Sequence, residues 1–204
     1  MKKYKTILNY DNLQKTDKKR SILDAVYVFS ICSILGFIVE TIFVYISSGV
    51  YSNRGMLYGP YCPIYGFGGV ILYFLFCNLK PSKANIPYAF LVSAVFMGAF
   101  ELLSGIFLKN IFNVEMWNYD GMFLEIMDYT TVPILIGWGI LGTIYIFFLQ
   151  PLLNKVIEMI PKTMLKRLAI LIIFVYLIDF GLSVRHIILD PDFLRKMVTL
   201  EAKL

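Results

Sequence analysis

The chain has 204 residues, 58% of them hydrophobic and only 16% charged; its mean hydropathy is +0.70. A soluble domain is nearer half apolar and a quarter charged, and at this size it lacks the volume to hide such a surplus, so lipid must cover it. The net charge of +5 would suggest nucleic acid in a soluble protein, but here the cations gather at the start of the chain and in short loops, which is how a membrane protein sets its orientation.

Residues 1–21 form a basic tail ending in Lys18-Lys19-Arg20. It is polar, and the apolar run after it is too long for the core of a cleavable signal peptide. Five apolar runs follow, near 22–47, 61–79, 86–108, 131–150 and 167–189. Each is close to the ~20 residues that cross ~30 Å of hydrocarbon. Backbone groups in lipid must be satisfied within the segment, so these runs predict an all-α polytopic membrane bundle of about five transmembrane helices over residues 22–189. Residues 190–204 form a short C-terminal tail.

The first run carries Ser33, Gly36, Glu40 and Ser47 along one stripe. The stretch 49–69 after it holds six glycines and two prolines. Glycine permits positive φ and proline removes a donor, which argues against a simple helix start and for a re-entrant element near residues 49–66. Arg54 is the one cation there, and it is the expected partner for the buried acids.

In the third run Ala94, Gly98, Glu101 and Gly105 share a helical face. Small faces allow close approach in lipid, so the first and third helices are expected to pack together with Glu40 and Glu101 at similar depth. Two carboxylates that close do not both ionise easily, and one of them is expected to hold a proton. The loop that follows holds Glu115, Asp120, Glu125 and Asp128 around Trp117 and Tyr119, and reads as a solvated loop anchored at the headgroups.

Gly137-Trp138-Gly139-Ile140-Leu141-Gly142 in the fourth run matches a dinucleotide fingerprint as a string. That fingerprint needs a strand before it, and here it lies inside an apolar span, so helix packing accounts for it. In the last run Asp179, Ser183 and His186 lie on one face. An acid near the centre of a span costs roughly 2.5–3.5 kcal/mol and normally faces the bundle interior with a partner. Glu40, Arg54, Glu101 and Asp179 are therefore the candidate substrate-binding residues.

Thirteen cations lie in the tail and the even-numbered loops against two, Arg54 and Lys109, in the odd ones. This places the N-terminus in the cytoplasm of a multi-pass cell-membrane protein. Arg185, Arg195, Lys196 and Lys203 near the C-terminus run against that count. Cys32, Cys62 and Cys77 have no paired spacing and read as small buried hydrophobes. With a single histidine, no P-loop and no nucleophile elbow, neither a metal, a cofactor nor a catalytic activity is expected.

Asn53-Arg54-Gly55, Gly59-Pro60 and Cys62-Pro63-Ile64-Tyr65-Gly66 resemble the signature of the type IV, CmpB-like ABC-transporter family of bacterial membrane proteins. Trp117-Asn118-Tyr119 resembles the family's Trp-Asp-Tyr element, with Asn118 departing from the acid, and Leu177-Ile178-Asp179-Phe180 resembles the acid-bearing motif of its last helix. The resemblance spans most of residues 25–185 and implies a permease-like membrane subunit. Its ATPase would be a separate polypeptide, or the chain would work as a homo-oligomer. A non-transporting sensor, assembly factor or scaffold, with purely structural acids, is the alternative.

Overall fold

The computed structural model describes residues 21–49, 57–76, 79, 82–113 and 115–190. Helix α1 (Ile22–Ser48) opens where the Ser21 side chain accepts the Asp24 N–H, and it closes at Gly49 with φ 71°. A left-handed residue at that position is the ordinary glycine stop. Helix α2 (Pro63–Leu75) begins with a proline, whose missing N–H costs nothing in a first turn. A 3₁₀ turn (Lys83–Asn85) leads into α3 (Ile86–Phe112), and a small antiparallel hairpin, β1 (Glu125–Ile126) with β2 (Thr130–Thr131), precedes α4 (Val132–Met159). The Thr131 hydroxyl caps α4 by accepting the Ile134 N–H. A π turn over Tyr145–Leu149 interrupts α4 just before Pro151. Proline offers no N–H and crowds the carbonyl four residues back, and the widened turn absorbs both effects. Helix α5 (Lys162–Leu189) completes the bundle.

Among the described residues, four helices are long and apolar enough to cross a membrane: α1, α3, α4 and α5. The second apolar run differs from a full span. Its helix has 13 residues, about 20 Å of rise, which is well short of the hydrocarbon thickness.

The packing shows where α2 lies. It runs antiparallel along the N-terminal half of α1, with Gly66 against Ser33 and Phe29, Gly69 against Cys32, and the Tyr73 hydroxyl donating to Asp24 in the first turn of α1. At its other end the Cys62 N–H donates to the Ser33 carbonyl at 2.9 Å. Helix α2 therefore starts halfway along α1, and the non-helical segment 57–62 ahead of it reaches that depth. Of the re-entrant element expected near residues 49–66, residues 50–56 lie outside the described residues.

Helices α3 and α4 form the other close pair. Leu135 fills the space at Gly98, Tyr129 that at Gly105, Phe90 that at Gly139, and Ser93 that at Gly142. The expectation that α1 packs on α3 is corrected: the small face of α3 receives α4, and that of α1 receives α2. Each stripe favours close approach without naming its partner, and the nearest antiparallel neighbour in sequence takes it. One core joins Val28, Cys32, Leu72, Tyr73, Met97 and Trp138. A second joins Tyr27, Ile157, Leu165 and Ala169, where the Tyr27 hydroxyl donates to the Leu165 carbonyl and ties α5 to α1.

Candidate functional site

Asp179 projects from α5 onto the non-helical segment before α2. Its Oδ1 accepts the Tyr58 N–H at 3.0 Å and the Ser183 hydroxyl at 3.1 Å, and its Oδ2 accepts the Gly59 N–H at 2.9 Å together with the Tyr61 hydroxyl. A carboxylate has about four lone-pair positions, and all four are engaged. The Tyr58 and Gly59 N–H groups have no helix or ladder to take them, so an acid in the membrane supplies the acceptors that water would supply elsewhere. Two turns further along α5, the Nδ1 atom of His186 meets the Tyr58 hydroxyl. The Tyr61 ring stacks at a tilt on Tyr176, centroids 4.3 Å apart.

Glu101 lies midway along α3 and is 6% exposed. Its Oε2 accepts the Thr130 hydroxyl at 2.8 Å and the Trp138 indole N–H at 3.1 Å, and its Oε1 accepts the Tyr119 hydroxyl at 3.3 Å. Helix α4 and the loop before it thus converge on one carboxylate, and the Trp117 indole fastens the loop by donating to the Tyr129 carbonyl.

Glu40 is the third acid. The Cys62 thiol donates to its Oε2 at 3.5 Å from the residue that precedes α2. Tyr65, in the first turn of α2, packs in the gap left by Gly36 and lies with its ring centroid 5.2 Å from that of Trp138. Trp138 in turn donates to Glu101, so Tyr65 has Gly36 of α1 on one side and a partner of Glu101 on the other. Cys62 therefore contacts the acid of α1, and Tyr65 packs against the indole that holds the acid of α3.

Of the four residues expected to bind substrate, Glu40 meets Cys62, Glu101 is held by Tyr119, Thr130 and Trp138, and Asp179 forms a separate clasp. Arg54 lies outside the described residues, as do Asn53 and Gly55 of the signature. The remaining signature positions have structural roles here. Gly59 gives an N–H to Asp179, Pro60 lies between two of its donors, and Pro63 opens α2. Gly66 is packed so closely that a Cβ would lie 2.1 Å from Ser33 Oγ. Trp117 and Tyr119 hold the α3–α4 loop to the Glu101 region.

Sequence reasoning missed Thr130 and Trp138 as partners of Glu101, and Tyr58 and Tyr61 as partners of Asp179. Trp138 carried a signal, since an indole N–H in an apolar span needs an acceptor. In the hairpin, carboxylate oxygens of Asp120, Glu125 and Asp128 lie within 4.8 Å of one another, fully at the surface.

Comparison with known proteins adds one match. No curated protein and no solved structure matches the chain. The family model described as Putative ABC-transporter type IV matches residues 27–184, the segment that carries the α2 entry, the Glu101 cluster and the Asp179 clasp, and the chain belongs to that family.

Proposed function

We propose that this chain is the membrane-embedded subunit of a transport system, with a polar cavity between Glu40, Cys62, Tyr65 and Glu101 that opens to the outer side. The observation that carries the reading is the half-length α2. Its N-terminus and the non-helical segment before it lie against the middle of α1, where the Cys62 thiol reaches Glu40, which supports a site at mid-membrane depth. Irregular backbone at that depth is tolerated where it is covered by protein or lines water, and helix ends facing ionisable groups at the midplane are a device of transport sites. Two acids there are costly unless they face such a site. In this reading the N-terminus is cytoplasmic, Arg54 approaches Glu40 or Glu101 as counter-cation, and nucleotide hydrolysis belongs to a separate polypeptide.

The test is purification of the tagged chain from its native membranes in mild detergent. The expected result is a co-purifying ATPase polypeptide and ATP hydrolysis that Glu40→Gln lowers while the variant stays folded. Purification alone, with no nucleotide hydrolysis above background, overturns the reading. A second reading, a non-transporting scaffold or sensor, is favoured by Asp179, whose lone pairs are all engaged by donors of its own chain. Asp179 therefore serves in our proposal as the clasp that positions α2 and leaves substrate contact to Glu40 and Glu101.

A further inference from the structure

The hairpin between α3 and α4 displays an apolar edge. Met122, Phe123, Leu124 and Met127 are all exposed, Phe123 by 77% and Met127 by 65%. Leu124, Met127 and Asp128 adopt positive φ, which is strained for any residue other than glycine. The segment is nonetheless held closely: Tyr119 N–H to Asp128, Met122 N–H to Tyr119, and Val132 N–H to Leu124 are backbone bonds of 2.7–3.1 Å. This is an ordered surface whose apolar side chains are directed outward.

Its level in the bundle follows from the α3–α4 packing. Val132, the first residue of α4, is bonded to Leu124, while Tyr129 and Thr130 lie against Gly105 and Glu101 of α3. Helix α3 continues from Gly105 to Phe112, about 10 Å further, with Phe107 and Ile111 exposed on the way. The hairpin is thus level with exposed apolar helix surface, and the Lys109–Glu115 ion pair, with Lys109 between Phe107 and Ile111, sets charge at that same level, as at a headgroup boundary. Irregular backbone is excluded from the hydrocarbon centre, so this level is the outer hydrocarbon boundary.

We infer that the hairpin lies in the outer headgroup layer as a lipid-binding foot, with Phe123, Leu124 and Met127 in the acyl boundary and Asp120, Glu125 and Asp128 among the headgroups. Three clustered carboxylates select zwitterionic headgroups, which offer a cation, over net anionic ones. Apolar side chains beneath a polar rim are how interfacial segments hold to a bilayer. The hairpin is also joined to the intramembrane acid, because Tyr119 and Thr130 at its base both donate to Glu101. The inference does not depend on whether the chain transports.

The experiment uses the full chain in liposomes, with Phe123→Trp, Met127→Trp and Asn118→Trp compared against the parent protein. Zwitterionic lipid brominated near the top of its acyl chain is expected to quench roughly half of the emission added at positions 123 and 127, with little quenching by acrylamide, the pattern of residues in the acyl boundary. Asn118→Trp is expected to show the reverse. Adding anionic lipid should weaken the bromine quenching. Acrylamide quenching at 123 and 127 equal to that at 118 places the edge in water and overturns the inference. Quenching by neither places it under protein and also overturns it. Stronger bromine quenching in anionic lipid overturns the assigned headgroup preference.

Discussion

The indole of Trp138 and the carboxylate of Glu101 meet at 3.1 Å, joining the seventh residue of α4 to the middle of α3. Thr130 gives its hydroxyl to the same oxygen, so one acid fixes both the start of α4 and its rotation. The two substitutions usually made at a carboxylate should therefore behave differently here.

Glu101→Gln keeps an oxygen for Thr130 and Trp138, and its amide can donate to the Tyr119 oxygen. The expected loss of stability is at most about 1 kcal/mol, whereas Glu101→Ala strands two buried donors and costs about 2–4 kcal/mol. Thermal unfolding in detergent separates them. Equal losses would show that the fold needs the charge itself.

Asp179→Asn should loosen the segment before α2. An amide retains one acceptor atom and turns an N–H₂ group toward backbone donors, leaving about 1–3 kcal/mol of unsatisfied polar groups for each bond lost. Cys62, 7% exposed in the native protein, should then react with a membrane-permeant maleimide much faster than in the parent, by roughly tenfold if about 1.4 kcal/mol of closure is lost. An unchanged rate would mean that the segment is held by other contacts.

Gly66 and Gly137 are both helical glycines in apolar helices, with opposite expectations. A Cβ at Gly66 would lie 2.1 Å from Ser33 Oγ and 2.8 Å from the Phe29 carbonyl oxygen, while at Gly137 it meets nothing within 4 Å. Gly66→Ala must push α2 off α1 and should cost about 1–3 kcal/mol. Gly137→Ala should be neutral or stabilising by up to about 1 kcal/mol, the difference in helix propensity. Unfolding midpoints of the two variants check the contrast, and similar values would contradict the α1–α2 packing.

Tyr58→Phe should be mild beside Asp179→Asn. It removes the hydroxyl that meets His186 and leaves the Tyr58 N–H on Asp179. At the exposed end of the clasp, the loss of one hydrogen bond is worth about 1 kcal/mol. A Cys62 labelling rate matching that of Asp179→Asn would move the main hold of the segment from Asp179 to His186.

The bundle could be read from hydropathy because lipid admits few alternatives to a helix, and the limits of α1, α3 and α5 fall within a few residues of their apolar runs. The second run was read as longer than its helix, because Tyr61 and Cys62 are as apolar as the residues beyond them and only Gly59-Pro60 and Pro63 hint at a break. Helical spacing groups Asp179, Ser183 and His186, yet nothing local announces that the other half of the clasp lies about 120 residues upstream. The small stripes of α1 and α3 were visible, but their partners were not, since a glycine face accepts whichever helix the connections deliver. For Glu101, the partners Thr130 and Trp138 are separated by the start of α4 and converge only once that helix exists.

That separation of about 120 residues also orders the making of the protein. Segment 57–62 is made long before Asp179, and until α5 arrives the Tyr58 and Gly59 N–H groups and the Tyr61 phenol have no carboxylate to meet. The last helix therefore completes a segment made early in the chain. A chain halted after α4 would leave these donors without the acceptor that the last helix brings.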